Sequence, residues 1–156
     1  MQIKLCFTYV IVFIAVFLPC APVFAQVDGT DSFVSGGITR TFNYHLPTNA
    51  PGKDLPLVIV LHGAGGTGAG IKATTGFDAI ANTENFIVVY PNSTNIGGTL
   101  QWNAYADGTP GHPSDANATD DVNFTSDLID YFYEDYQINR NKVYVTGFSN
   151  GGFMAY

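Results

Sequence analysis

VYVTGFSNGG, residues 143–152, joins a short β-branched run to a serine framed by glycines. Gly147-Phe148-Ser149-Asn150-Gly151 matches G-x-S-x-G in the strand–turn–helix setting that gives the pattern its chemical meaning. The residue types are those the geometry needs. A serine on a sharp strand-to-helix turn sits in a strained backbone conformation, and glycines on either side remove Cβ atoms that would collide with the flanking strand and helix. Its Oγ then stands at the carboxyl edge of a sheet, with the N–H of Asn150 aimed at a developing oxyanion. Ser149 is the candidate nucleophile and Asn150 a candidate oxyanion donor.

Upstream segments build the sheet that such a turn requires. Residues 57–61 (LVIVL) form a continuous apolar run, the mark of a strand covered on both faces, and residues 86–90 (FIVVY) form another. Residues 38–46 read as a strand with partial alternation. Residues 71–82 carry Phe77, Ile80 and Ala81 at helical spacing, and Asp120-Asp121 caps a helix with Leu128, Ile129, Phe132 and Tyr136 on its apolar side. Residues 142–146 (KVYVT) read as a third short buried strand, running straight into the serine turn. Strand and helix alternate, so the expected class is α/β with a mostly parallel sheet. Residues 92–119 are rich in Gly, Asn, Pro, Asp and Thr, a connection long enough to be functional.

LHGAGGTGAG, residues 61–70, places Gly63, Gly65 and Gly68 in a G-x-G-x-x-G pattern directly after a strand. A dinucleotide site would also want an acid at the end of the next strand, where Pro91-Asn92 stands, and no Gly-Lys-Ser/Thr follows to make a P-loop. The bare backbone suits another purpose. It lets an N–H of the loop at residues 62–66 approach the oxyanion formed on attack by Ser149, with His62, Gly63 and Gly65 supporting the loop.

The N-terminus reads as a secretory signal. Lys4 precedes an apolar stretch over residues 5–18 that is short for a membrane span, and Val23-Phe24-Ala25 gives small residues at −3 and −1, so cleavage is expected after Ala25. Cys6 and Cys20 both fall within that leader, leaving neither disulfides nor a cysteine metal site in residues 26–156. Loss of Lys4 takes the formal charge from −7 to −8, a poor surface for nucleic acid. Expected are a secreted product with no stable membrane anchor, one domain over residues 26–156, and no metal or cofactor.

PLVIVLHGAGG (residues 56–66), TGFD (75–78), FIVVYP (86–91), QWN (101–103), DDV (120–122) and VYVTGFSNGG together resemble the secreted polyhydroxybutyrate depolymerase and feruloyl esterase family of α/β hydrolases. The likeness runs over about residues 40–156. It implies the N-terminal part of an α/β-hydrolase fold, Ser149 as nucleophile, and the N–H groups of Ala64 and Asn150 as oxyanion hole, with Gly65 the alternative to Ala64. It also implies a secreted serine esterase acting on a polyester or on feruloyl or acetyl esters of plant polysaccharide. Trp102, in the long loop beside Asn103 and Tyr105, is a candidate substrate contact that could stack on a phenolic acid or sugar. Indole packing within the loop is the alternative.

In this architecture the triad order is Ser, acid, His, and no acid or histidine follows Ser149 before Tyr156. His45 is expected to be a strand residue, His62 a loop-ordering one, and His112 to lie in the polar loop. Asp121 is expected to be a cap and loop anchor. The expectation is therefore a truncated domain lacking its C-terminal strands and inactive as it stands, since losing the histidine of a serine hydrolase costs on the order of 10⁶ in kcat. A secreted serine peptidase of the same fold and a non-catalytic polymer- or carbohydrate-binding module are the rival readings.

Overall fold

The computed structural model describes residues 27–48, 53–104 and 119–156. The expected leader with Cys6 and Cys20, and Tyr105 and His112 of the long loop, lie outside them. Strands β1 (Val27–Ser35) and β2 (Ile38–Leu46) form a hairpin turned by Gly36 and Gly37, both at positive φ. Strand β3 (Leu57–Leu61), helices α1 (Gly68–Thr75) and α2 (Phe77–Glu84) and strand β4 (Ile87–Pro91) follow. A small hairpin of β5 (Thr94–Ile96) and β6 (Thr99–Gln101) precedes helix α3 (Asp121–Tyr136), strand β7 (Val143–Gly147) and helix α4 (Asn150–Ala155).

The main sheet runs β1-β2-β4-β3-β7. Strands β4, β3 and β7 are parallel, and β1 and β2 extend them through antiparallel pairs. The unbroken apolar runs have a direct cause, since successive side chains leave opposite faces and both faces are covered. Leu57, Ile59, Leu61, Ile87 and Val89 meet Phe124, Leu128 and Phe132 of α3. Val60, Val88 and Tyr90, with the partly buried Val58, meet Ile71 of α1 and Ala81 of α2. Each fully buried Val, Leu, Ile or Phe among them contributes roughly 1.5–3 kcal/mol on burial.

The helix expected over residues 71–82 is two helices. Gly76, at φ 69°, ends α1 in the left-handed conformation and lets the chain restart as α2. Asp120 alone caps α3, accepting from the Asn123 N–H at 2.8 Å. Strand β1 is not foreshadowed by its composition, because Asp28, Gly29 and Asp31 interrupt any apolar alternation. It is held by pairing to β2 and by Phe33, which stacks on Tyr131 at 5.6 Å. Lys72 of α1 bridges Asp28 and Asp78, and His45 bonds Asp28 and Asn82, so both helices are tied to the hairpin. No described helix is long and apolar enough to cross a membrane.

One register positions everything that follows. Strand β3 pairs with β7 from Leu57↔Val143 to Leu61↔Gly147, so the two strands end side by side. The glycine loop and the serine turn therefore leave the sheet at the same edge.

Candidate active site

At the end of β7 the backbone turns sharply through Ser149, whose φ is 51° and ψ −119°. A non-glycine residue held there is strained, and the surroundings enforce it. Phe148 N–H donates to Leu61 O at 3.0 Å, prolonging the β3–β7 ladder by one residue, and Gly151 N–H donates back to Phe148 O at 2.9 Å. A Cβ on Gly147 would run into the Gly151 carbonyl, and one on Gly151 would lie 2.5 Å from the carbonyl oxygens of both Leu61 and His62. The glycines thus allow α4 to start directly against the end of β3. Ser149 is exposed, and Asn150, as the first residue of α4, has an N–H with no acceptor inside its helix.

Across from it stands the glycine loop. A Cβ on Gly63 would come within 3.4 Å of Ser149 Cβ, so these two backbones are in near contact. Of the two N–H groups weighed as the second oxyanion donor, Gly65 donates to Leu100 O at 2.7 Å. Gly66 N–H closes on Gly63 O at 2.9 Å. Among the described residues the Ala64 N–H has no acceptor.

His62 is buried under this loop. Its Nδ1 bonds Gly63 O at 2.8 Å and its Nε2 accepts from the Ser93 N–H at 3.1 Å. Because a backbone N–H can only donate, Nε2 is the unprotonated nitrogen and the ring is neutral. Burial pushes the imidazole below the usual histidine range, outweighing the Gly63 carbonyl and the charge of Asp121, which act upward.

Trp102 corrects the expectation of a substrate contact. Its side chain is 2% exposed and has no free face, and its Nε1–H donates to His62 O at 2.8 Å. The indole is a strut between the β5–β6 hairpin and the glycine loop. The main chain of Trp102 is gripped in turn by the Asn150 carboxamide, whose Oδ1 accepts from Trp102 N–H at 2.7 Å while Nδ2 donates to Trp102 O at 3.1 Å. Sequence reasoning missed this grip, since no spacing relates residue 150 to residue 102 and only the β3–β7 register brings them together. Asp121 anchors the same segment. Buried against Arg40 at 2.7 Å, it accepts from Asn103 N–H at 2.7 Å through its second oxygen.

A largely apolar cavity of about 340 Å³ adjoins the turn, lined among others by His62, Gly63, Ile71, Thr74 and Phe148. For a base, the described residues supply no free imidazole: both ring nitrogens of His62 are engaged, and those of His45 face Asp28 and Asn82. Asp28, His45 and Asp78 bring potential metal-ligating atoms within 4.8 Å of one another, but Lys72 already places its ammonium against both carboxylates.

Known proteins resemble this chain in sequence and in fold. A bifunctional acetylxylan esterase/xylanase of Neocallimastix patriciarum is 31% identical over 77% of the chain and 16% of its own length. A poly(3-hydroxyalkanoate) depolymerase C of Paucimonas lemoignei is 33% identical over 71% of the chain and 25% of its own. The chain thus spans a quarter or less of these relatives. Among solved structures, an S-formylglutathione hydrolase from Agrobacterium tumefaciens superposes with a TM-score of 0.68 at 20% identity, covering 86% of the chain and 53% of that structure. That likeness shows the fold, an α/β-hydrolase sheet with its helices. Residues 35–156 match the family described as putative esterase, and the chain belongs to that family.

Proposed function

We propose that these residues carry the nucleophile and oxyanion hole of a secreted carboxylic-ester hydrolase. Ser149 Oγ attacks the ester carbonyl, the alcohol leaves, and water releases the acyl group from the serine. The N–H groups of Ala64 and Asn150 receive the oxyanion. The observation that carries this reading is the strained Ser149 opening α4 within near contact of the glycine loop. General base and acid come from outside the described residues, because both described histidines are engaged elsewhere. We propose further that residues 26–156 belong to one esterase domain behind a cleaved leader. Its substrate is an ester-bearing polymer, either a polyester or an acetylated or feruloylated polysaccharide, in keeping with what the relatives' names say of those proteins.

The test uses the whole protein. A fluorophosphonate probe should label Ser149, located by peptide mass mapping, and Ser149→Ala should lose both labelling and hydrolysis of 4-nitrophenyl acetate. Undiminished turnover in Ser149→Ala would rule the mechanism out.

A further inference from the structure

Ser149 and Ala64 sit on different loops, and something must hold the distance between them. Starting from the nucleophile, the next residue, Asn150, grips both main-chain groups of Trp102, at 2.7 and 3.1 Å. The indole N–H of Trp102 reaches His62 O at 2.8 Å, and His62 Nδ1 holds Gly63 O at 2.8 Å. Two residues before Trp102, Leu100 O takes the N–H of Gly65 at 2.7 Å. The neighbours of Ala64 on both sides are thereby fastened to groups that lead back to Asn150. Asn150, Trp102 and His62 are all buried.

We propose that the Asn150 carboxamide and the Trp102 indole are positioning groups that set the separation of nucleophile and second oxyanion donor, for every ester the site takes. This rests on the esterase reading above. The residue types fit the task. Only a carboxamide offers one acceptor and one donor at the spacing of a residue's own N–H and C=O, and the Trp102 N–H fixes which Asn150 atom is the oxygen. An aspartate would set a charged oxygen against the Trp102 carbonyl. The indole supplies a rigid reach with a donor at its tip, which phenylalanine lacks. Oxyanion stabilisation depends on donors held in place before the charge develops, and a small misplacement from a remote change can cost about a hundredfold.

Trp102→Phe keeps an aromatic ring in the core and removes the one N–H. In the whole protein it is expected to lower kcat about tenfold or more, with KM changed by less than about twofold, and by the same factor for 4-nitrophenyl acetate and methyl ferulate. Asn150→Asp should show the same split. Amide hydrogen exchange at Gly65, whose N–H is held by Leu100 O, should quicken in Trp102→Phe even in a Ser149→Ala background, a readout that needs no turnover. Unchanged exchange there, or a fall in thermal stability with kcat intact, overturns the positioning role. A loss confined to KM for the aromatic ester would instead make Trp102 a substrate contact and overturn it too. Failure of the wild-type protein to label or hydrolyse any ester is a different result, and it sinks the esterase reading on which the proposal rests.

Discussion

Gly151 illustrates how little freedom a single position has at this site. With the carbonyl oxygens of Leu61 and His62 at 2.5 Å from any Cβ placed there, Gly151→Ala must push α4 away from β3. Overpacking of this kind costs about 1–3 kcal/mol, and chemical denaturation should report a loss at the upper end. His62 gives a second prediction. Its depressed pKa means that protons bind the unfolded chain more readily, so its contribution is fully present above about pH 6.5 and is lost as pH falls toward the folded value. An NMR titration should place its midpoint below that of an unstructured histidine, and an ordinary midpoint would contradict the buried neutral ring. Both residues sit in motifs legible in the sequence, because the turn around Ser149 and the loop after β3 are local patterns of glycine. The carboxamide of Asn150 and the indole of Trp102 were not legible, as their roles depend on a partner far away in the chain.

Helix α3 separates two acidic neighbours by function. Asp120 makes a solvent-side cap to Asn123 N–H, and Asp120→Ala should cost about 1 kcal/mol. Asp121 is buried with Arg40, and Asp121→Ala strands a guanidinium that also lies 3.7 Å over the Phe124 ring. About 3–5 kcal/mol is expected there, together with loosening of residues 102–104, and equal losses in both variants by thermal melting would refute the assignment. Element by element, what could be read in advance followed burial. Strands β2 and β3 stand where their patterns placed them, and β4 and β7 are shifted by one residue, with β7 largely exposed where its apolar residues led to the expectation of a buried strand. Strand β1 escaped because it is a polar edge strand held by pairing. The β5–β6 hairpin escaped as well, being three residues a side within a loop whose composition shows only turns.

At the scale of the whole molecule, the uneven cover of the sheet has a measurable effect. Strand β7 pairs only with β3 among the described residues, and Tyr144, Val145 and Phe148 are exposed along that side. An open strand edge bearing apolar side chains recruits other chains. Residues 26–156 produced alone should self-associate at micromolar concentration in sedimentation experiments, and Tyr144→Glu with Val145→Glu should reduce it; a monomer at all concentrations would count against this. The α/β class and the parallel centre were legible because alternation of strand and helix is a property of the whole chain. The pairing of β3 with β7 also has a bearing on time. Leu61 must wait for Gly147, with every intervening element either formed or out of the way, and contacts so distant in sequence are closed late and slowly. Refolding followed by site reactivity should therefore lag refolding followed by helix content. During synthesis the turn at Ser149 would emerge unstrained, taking its φ of 51° only once β7 docks on β3.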